Sequence, residues 1–222
     1  MSGWWLADLW SSKNGQVLVV SWLVWVIGSI TLHELGHGWA AIRAGDDTPV
    51  KSGHMTWNPV VHMGPYSLIA LLLIGIAWGM MPVDGSKMKG KFAETKVLAA
   101  GPLVNLALFL VAAVLYALWA PIAERTGVEE PLLTNLDIFL RLGAMLNLVL
   151  FLFNLVPIPP LDGGRILMKH SPGFRTLVHD ENGQWVLLGG FVLLFVFGAE
   201  LLFGIGNAAV GAVSATIRLL IA

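Results

Sequence analysis

The chain has 222 residues, 56% of them hydrophobic and only 12% charged, with a formal net charge of −1 at pH 7. Soluble domains carry about twice that charged fraction, so a soluble globule is excluded, and the near-neutral balance offers no basic face for nucleic acid. The absence of cysteine excludes a disulfide framework and thiolate chemistry, leaving histidine and carboxylate as donors for any metal.

Trp4, Trp5, Leu6, Leu9 and Trp10 form an amphipathic pattern that predicts a segment lying on the bilayer surface. Six apolar runs follow, at residues 17–32, 66–81, 97–120, 142–156, 185–202 and 204–222. Most approach the ~20 residues that a bilayer-crossing helix needs, but 66–81 is short. The first run has Asp8 and Lys13 before it instead of a basic flank, and no small-residue cleavage pattern after it. It therefore reads as a retained helix and not a removed signal. The expectation is one all-α polytopic membrane domain over residues 1–222, with about five to six membrane segments. It divides into an interfacial stretch 1–16, a core 17–167 and C-terminal helices 185–222.

The first run ends in His33-Glu34-Leu35-Gly36-His37, with no charged residue between Lys13 and the first histidine. On a continuous helix His33 and His37 stand at i and i+4 on one face. Their imidazoles can grip one zinc there, with Glu34 within reach of a water on the metal. Ionisable groups at membrane depth are costly and mark function. This is the pattern of a zinc hydrolase.

The fourth run ends in Asn154-Leu155-Val156-Pro157-Ile158-Pro159-Pro160-Leu161-Asp162-Gly163-Gly164. Three prolines in four positions cannot continue a helix, so the backbone there is extended or turned. Such backbone at membrane depth is tolerated only against protein or a wet cavity. Asp162 is thus placed to carry a carboxylate into a polar pocket.

The H-E-L-G-H box followed by N-L-V-P-I-P-P-L-D-G-G resembles the site-2 protease family of zinc intramembrane metalloproteases, peptidase family M50. The similarity extends to Gly53-His54-Met55-Thr56-Trp57-Asn58-Pro59 and to Ala100-Gly101-Pro102-Leu103-Val104-Asn105, in the family's order. It looks most like the small prokaryotic members without a PDZ insertion. The resemblance implies one Zn2+ per chain held by His33, His37 and Asp162, with Glu34 as catalytic acid/base. It also implies a substrate that is itself a membrane protein, cut in or next to a transmembrane segment. His54 stands where the family commonly has arginine, and Gly64 where it commonly has aspartate. Those departures bear on substrate preference.

Three ligands must share one depth, and this constrains the topology. If residues 66–81 crossed fully, Asp162 would lie at the face opposite the histidines. If they dip in and return, as Pro65, Gly75, Gly79 and Pro82 suggest, Asp162 comes back to the same side. The expected full helices are then ~17–43, ~97–120, ~136–156, ~185–203 and ~205–222. That side carries Arg43, Lys51, Lys87, Lys89, Lys91, Lys96, Arg165, Lys169 and Arg175, against Lys13, Arg125 and Arg141. Positive charge marks the cytoplasm, so the expectation is a multi-pass cell-membrane protein whose active site faces the cytoplasmic half.

Other polar residues have two readings each. Asn105 would bind substrate or the oxyanion, or join helices. Asn154 would do the same or brace the proline turn. His54 and His62 are rival third ligands or interfacial histidines. The loop from His54 to Asn58, with a short β element at 54–57, could pair with an unwound substrate strand. Two other functions remain: a metal-binding or metal-transporting membrane protein, which would give Glu34 no special task, and a proteolytically inactive scaffold.

Overall fold

The computed structural model describes residues 5–221; Trp4 of the interfacial pattern and Ala222 of the last run lie outside them. Helix α1 (Trp5–Trp10) packs Trp5 edge-on against Trp22, with ring centroids 6.1 Å apart. Helix α2 (Gly15–Ala44) carries the first apolar run through the histidine box and is closed by Gly45, whose N–H caps the Ala41 and Ile42 carbonyls. The short α3 (Thr48–Lys51) leads to α4 (Pro59–Ile74), which kinks at Gly64-Pro65. Gly64 has φ 67° and ψ 168° there, a conformation only glycine adopts freely. Helices α5 (Ala93–Thr126) and α6 (Leu132–Asn154) form an antiparallel pair against α2.

Small side chains let these helices approach closely, as membrane helices require. Ala112 and Ala113 of α5 and Ala144 of α6 are fully buried beside Val210. A second cluster joins Val26 and Ile30 of α2 to Met63 and Leu71 of α4 and Leu146 of α6. Exposed valines, leucines and isoleucines cover the outer faces, as the lipid side of a membrane bundle requires.

After α4 the chain doubles back. The Ser67 hydroxyl donates to the Trp78 carbonyl (2.7 Å) and accepts from its N–H (2.8 Å), and the Met80 N–H donates to the His62 carbonyl (2.9 Å). Asp46, fully buried at the end of α2, closes the loop by accepting the N–H groups of Thr48 (2.9 Å) and Asp84 (2.7 Å). Lys89 N–H adds a bond to the Ala44 carbonyl (2.8 Å). The excursion thus begins and ends at one end of α2.

Two expected features take another form. Residues 54–57 make a tight turn, because Thr56 N–H folds onto the His54 carbonyl (2.9 Å) and the Thr56 carbonyl is held by His62 Nε2 (2.8 Å). With those groups used locally, no strand forms, and none exists among the described residues. After α7 (Asp162–His170) and α8 (Pro172–His179), the expected pair of C-terminal helices is one continuous helix. It runs through α9 (Glu181–Leu193), a π turn at Leu194–Gly198 and α10 (Ala199–Ile221). Its glycines do not break it; Gly206 instead lets it lie against Met145. Arg218 Nε donates to the Ala117 carbonyl (3.3 Å), so the far end sits beside the C-terminal part of α5. Among the described residues four helices are long and apolar enough to cross a membrane, and the protein is an all-α membrane protein.

Candidate active site

Residues 33–38 of α2 are all buried, with Gly36 against α5 and Gly38 against Met55 and Met81. His33 and His37, one turn apart, bring their Nε2 atoms to 3.0 Å. The prolines end α6 and turn the chain, and Asp162 becomes the first residue of α7, 5% exposed. Gly163 and Gly164 leave no room for side chains against the backbone of residues 155–159. This close packing aims the Asp162 carboxylate back at α2. Its Oδ2 lies 3.2 Å from His33 Nε2 and 3.3 Å from His37 Nε2.

The proton positions follow from the outer partners. His37 Nδ1 lies 2.7 Å from the Val97 carbonyl, which can only accept, so the ring donates from Nδ1. His33 Nδ1 lies 2.6 Å from Asn105 Oδ1 and likewise donates. In the neutral rings both Nε2 atoms then carry lone pairs, and Asp162 Oδ2 is buried without a hydrogen-bond donor. Three lone-pair atoms face one another with no proton between them. Zinc bonds of ~2.05 Å in a tetrahedron separate their ligands by ~3.3 Å, which matches the 3.0–3.3 Å found here. The donor set fits a zinc ion.

Gly101 of α5 completes the space. A Cβ there would fall 2.5 Å from His33 Nε2 and against His37 Nε2 as well. Glu34 faces a cavity of about 560 Å³, also lined by His62, Trp78, Met80, Asn154 and Arg165. Gly79 of the returning segment packs directly on the Glu34 side chain.

The remaining candidates have other partners. Asn105 is fully buried at the cavity wall, with Oδ1 on His33 and Nδ2 donating to Asn147 Oδ1 (3.1 Å), so both ends of its amide are already engaged. Asn154 borders the cavity while donating to the Leu150 carbonyl (2.9 Å). Asn58 Oδ1 caps α4 on the Val60 N–H (3.0 Å). His54 Nδ1 sits on Ser52 (3.0 and 3.1 Å), and His62 holds Thr56; neither belongs to the metal-type cluster. Sequence reasoning missed Asn147, the Val97 carbonyl and the role of Gly101. A polar residue inside the apolar run 142–156 was the available signal for the first. The i, i+4 spacing of Gly101 and Asn105 was the signal for the last.

Comparison with known proteins decides the family. The family model described as Peptidase family M50 matches residues 21–137 and 121–197. The chain belongs to peptidase family M50. It is 37% identical over 193 residues to "Putative zinc metalloprotease YwhC" of Bacillus subtilis (strain 168), covering 84% of this chain and 85% of that one. It is 33% identical over 160 residues to "Putative zinc metalloprotease Rip2" of Mycobacterium tuberculosis (strain ATCC 35801 / TMC 107 / Erdman), covering 69% of this chain and 57% of the relative. The Rip2 of Mycolicibacterium smegmatis is 30% identical over 185 residues, covering 80% and 66%. No solved structure is matched. As an M50 member the protein is a zinc metalloprotease of the membrane, acting on membrane-protein substrates.

Proposed function

We propose that His33, His37 and Asp162 hold one zinc per chain and that Glu34 is the general acid/base of peptide hydrolysis inside the bilayer. The observation that carries this is the convergence of three proton-free donor atoms within 3.0–3.3 Å of one another. A zinc held by these three residues would supply Lewis acidity to the scissile carbonyl and would make a water acidic enough to attack near neutral pH. Glu34 takes the proton of the attacking water and passes one to the leaving amine. Asn154 and Arg165, on the cavity wall, face the space where the substrate backbone lies.

A peptide bond must leave its helix before it can be cut. The edge for holding it extended is the returning segment 77–83 and not residues 54–57, whose backbone is spent on the local turn. The backbone bonds of Trp78 and Met80 run to α4, whereas the N–H and C=O groups of Gly79 and Met81 have no partner among the described residues. An unwound substrate can add to that edge beside Glu34.

In this reading residues 17–167 form the catalytic core of a single domain, with 1–16 at the interface and 185–222 closing the bundle. Residues 59–84 re-enter the membrane without crossing it, and four helices cross. With one C-terminal crossing Arg218 joins Lys13, Arg125 and Arg141, and the resulting nine-to-four charge bias supports an active site toward the cytoplasm in this multi-pass cell-membrane protein. Co-purification of a transmembrane substrate with Glu34→Gln tests the reading. Uncleaved substrate should accumulate on the variant, and normal cleavage would overturn the role of Glu34.

A further inference from the structure

We infer that Asn147 and Asn105 form a directional two-amide relay that sets the tautomer of His33, making both of them positioning residues for the zinc site. The inference rests on His33 being a zinc ligand. The relay crosses three helices. Asn147 Nδ2 of α6 donates to the Gly143 carbonyl (2.9 Å), Asn105 Nδ2 of α5 donates to Asn147 Oδ1 (3.1 Å), and Asn105 Oδ1 meets His33 Nδ1 of α2 at 2.6 Å. Both amides are fully buried.

Its direction follows from chemistry alone. A carbonyl only accepts, so the Gly143 end must meet the NH₂ of Asn147. That turns the Asn147 oxygen toward Asn105, which must answer with its own NH₂. Asn105 then shows its oxygen to His33, and the imidazole must hold its proton on Nδ1. The opposite orientation would put an amide N–H against Nδ1, force the ring proton onto Nε2 and place that proton where the metal belongs. Outer partners that fix tautomer and ring orientation typically govern metal affinity by about 10–100-fold. His37 needs no relay, because the Val97 carbonyl lies directly on its Nδ1 (2.7 Å). His33 lies one turn earlier on α2, and two side chains span the gap from its Nδ1 to the second lone pair of the Gly143 carbonyl on α6.

Interhelical packing by amides would be indifferent to this direction, and that separates the two roles. Asn147→Leu removes the acceptor that orients Asn105. Asn147→Asp keeps it, since a carboxyl oxygen accepts from Asn105 Nδ2 in either protonation state. The experiment measures zinc affinity by chelator competition in detergent on the full chain, alongside the tautomer of labelled His33 by 15N and 13C NMR of the apo protein. His33→Ala assigns the resonance. The expected results are an Nδ1–H tautomer in the wild type, zinc binding weakened about 10–100-fold in Asn105→Leu and about tenfold in Asn147→Leu, and affinity within about threefold of wild type in Asn147→Asp. An Nε2–H tautomer in the wild type would overturn the relay, as would a large loss in Asn147→Asp; neither measurement depends on the leucine variants folding. Wild-type affinity in both leucine variants, with zinc lost in His33→Ala, would refute the relay and leave the ligand assignment standing. Zinc retained by His33→Ala would instead refute the assignment on which the relay rests.

Discussion

The Nε2 atoms of His33 and His37 stand 3.0 Å apart, and each ring donates its proton in another direction, to Asn105 and to the Val97 carbonyl. Two bare nitrogens at that distance, beside a buried carboxylate oxygen, repel one another unless they share a cation. The helix spacing brings the rings together; the partners on α5 turn both Nε2 lone pairs inward.

Gly101→Ala should abolish zinc binding without touching any ligand. The added methyl would sit 2.5 Å from His33 Nε2 and press on His37 Nε2 too. It would fill the space into which the lone pairs point. Metal content and cleavage should fall together, while the variant still inserts in the membrane. A Gly101→Ala protein with full zinc would mean that the metal binds elsewhere.

Glu34→Gln should keep its zinc and lose turnover by about 10²–10⁴-fold, the usual contribution of a general acid/base. The amide retains the shape of the side chain but cannot accept the proton. Single-turnover assays on a reconstituted membrane substrate would separate this loss from binding, which should change little.

Asp46→Asn should loosen the returning segment. Burial by itself raises the Asp46 pKa, but the hydrogen bonds from Thr48 and the Asp84 N–H outweigh it and hold the carboxyl below the usual range. A depressed folded-state pKa stabilises above the unfolded value of ~3.9 and loses that contribution as pH falls through the folded value. The clasp is therefore intact at neutral pH and fails only in acid. Replacing one acceptor oxygen with NH₂ opposes a backbone N–H and should cost about 1–3 kcal/mol. Thermal unfolding in detergent would read the loss. It should vanish at a pH low enough to protonate Asp46 in the wild type.

The proposed site was largely legible in the sequence because its residues are local. His33, Glu34 and His37 lie within one helical turn and a half, and the prolines before Asp162 announce an irregular turn at membrane depth. The packing around them was not legible. The Val97 carbonyl leaves no mark in the side-chain alphabet, and Asn147 has meaning only once α6 is placed against α5. The C-terminal runs 185–202 and 204–222 read as two helices, whereas one helix continues through a π turn at Leu194–Gly198. In a bundle a glycine also serves close approach, as Gly206 does against Met145. The 54–57 segment has strand-like composition, but its Thr56 carbonyl is already taken by His62.

Reporters fused after Lys91 and after Arg165 should lie on the same side of the membrane, and one after Arg125 on the other. The ties from Asp46 to Asp84 and from Ala44 to Lys89 hold both ends of residues 59–84 beside the end of α2. Lys91 and Arg165 on opposite sides would mean that this segment crosses fully.

Metal analysis of the purified wild type beside Asp162→Ala tests the central claim most directly. The wild type should carry one zinc per chain. The variant, reduced to two neutral imidazoles, should lose most of its zinc and its cleavage together. One tightly held zinc in Asp162→Ala, with cleavage intact, would contradict the site described here.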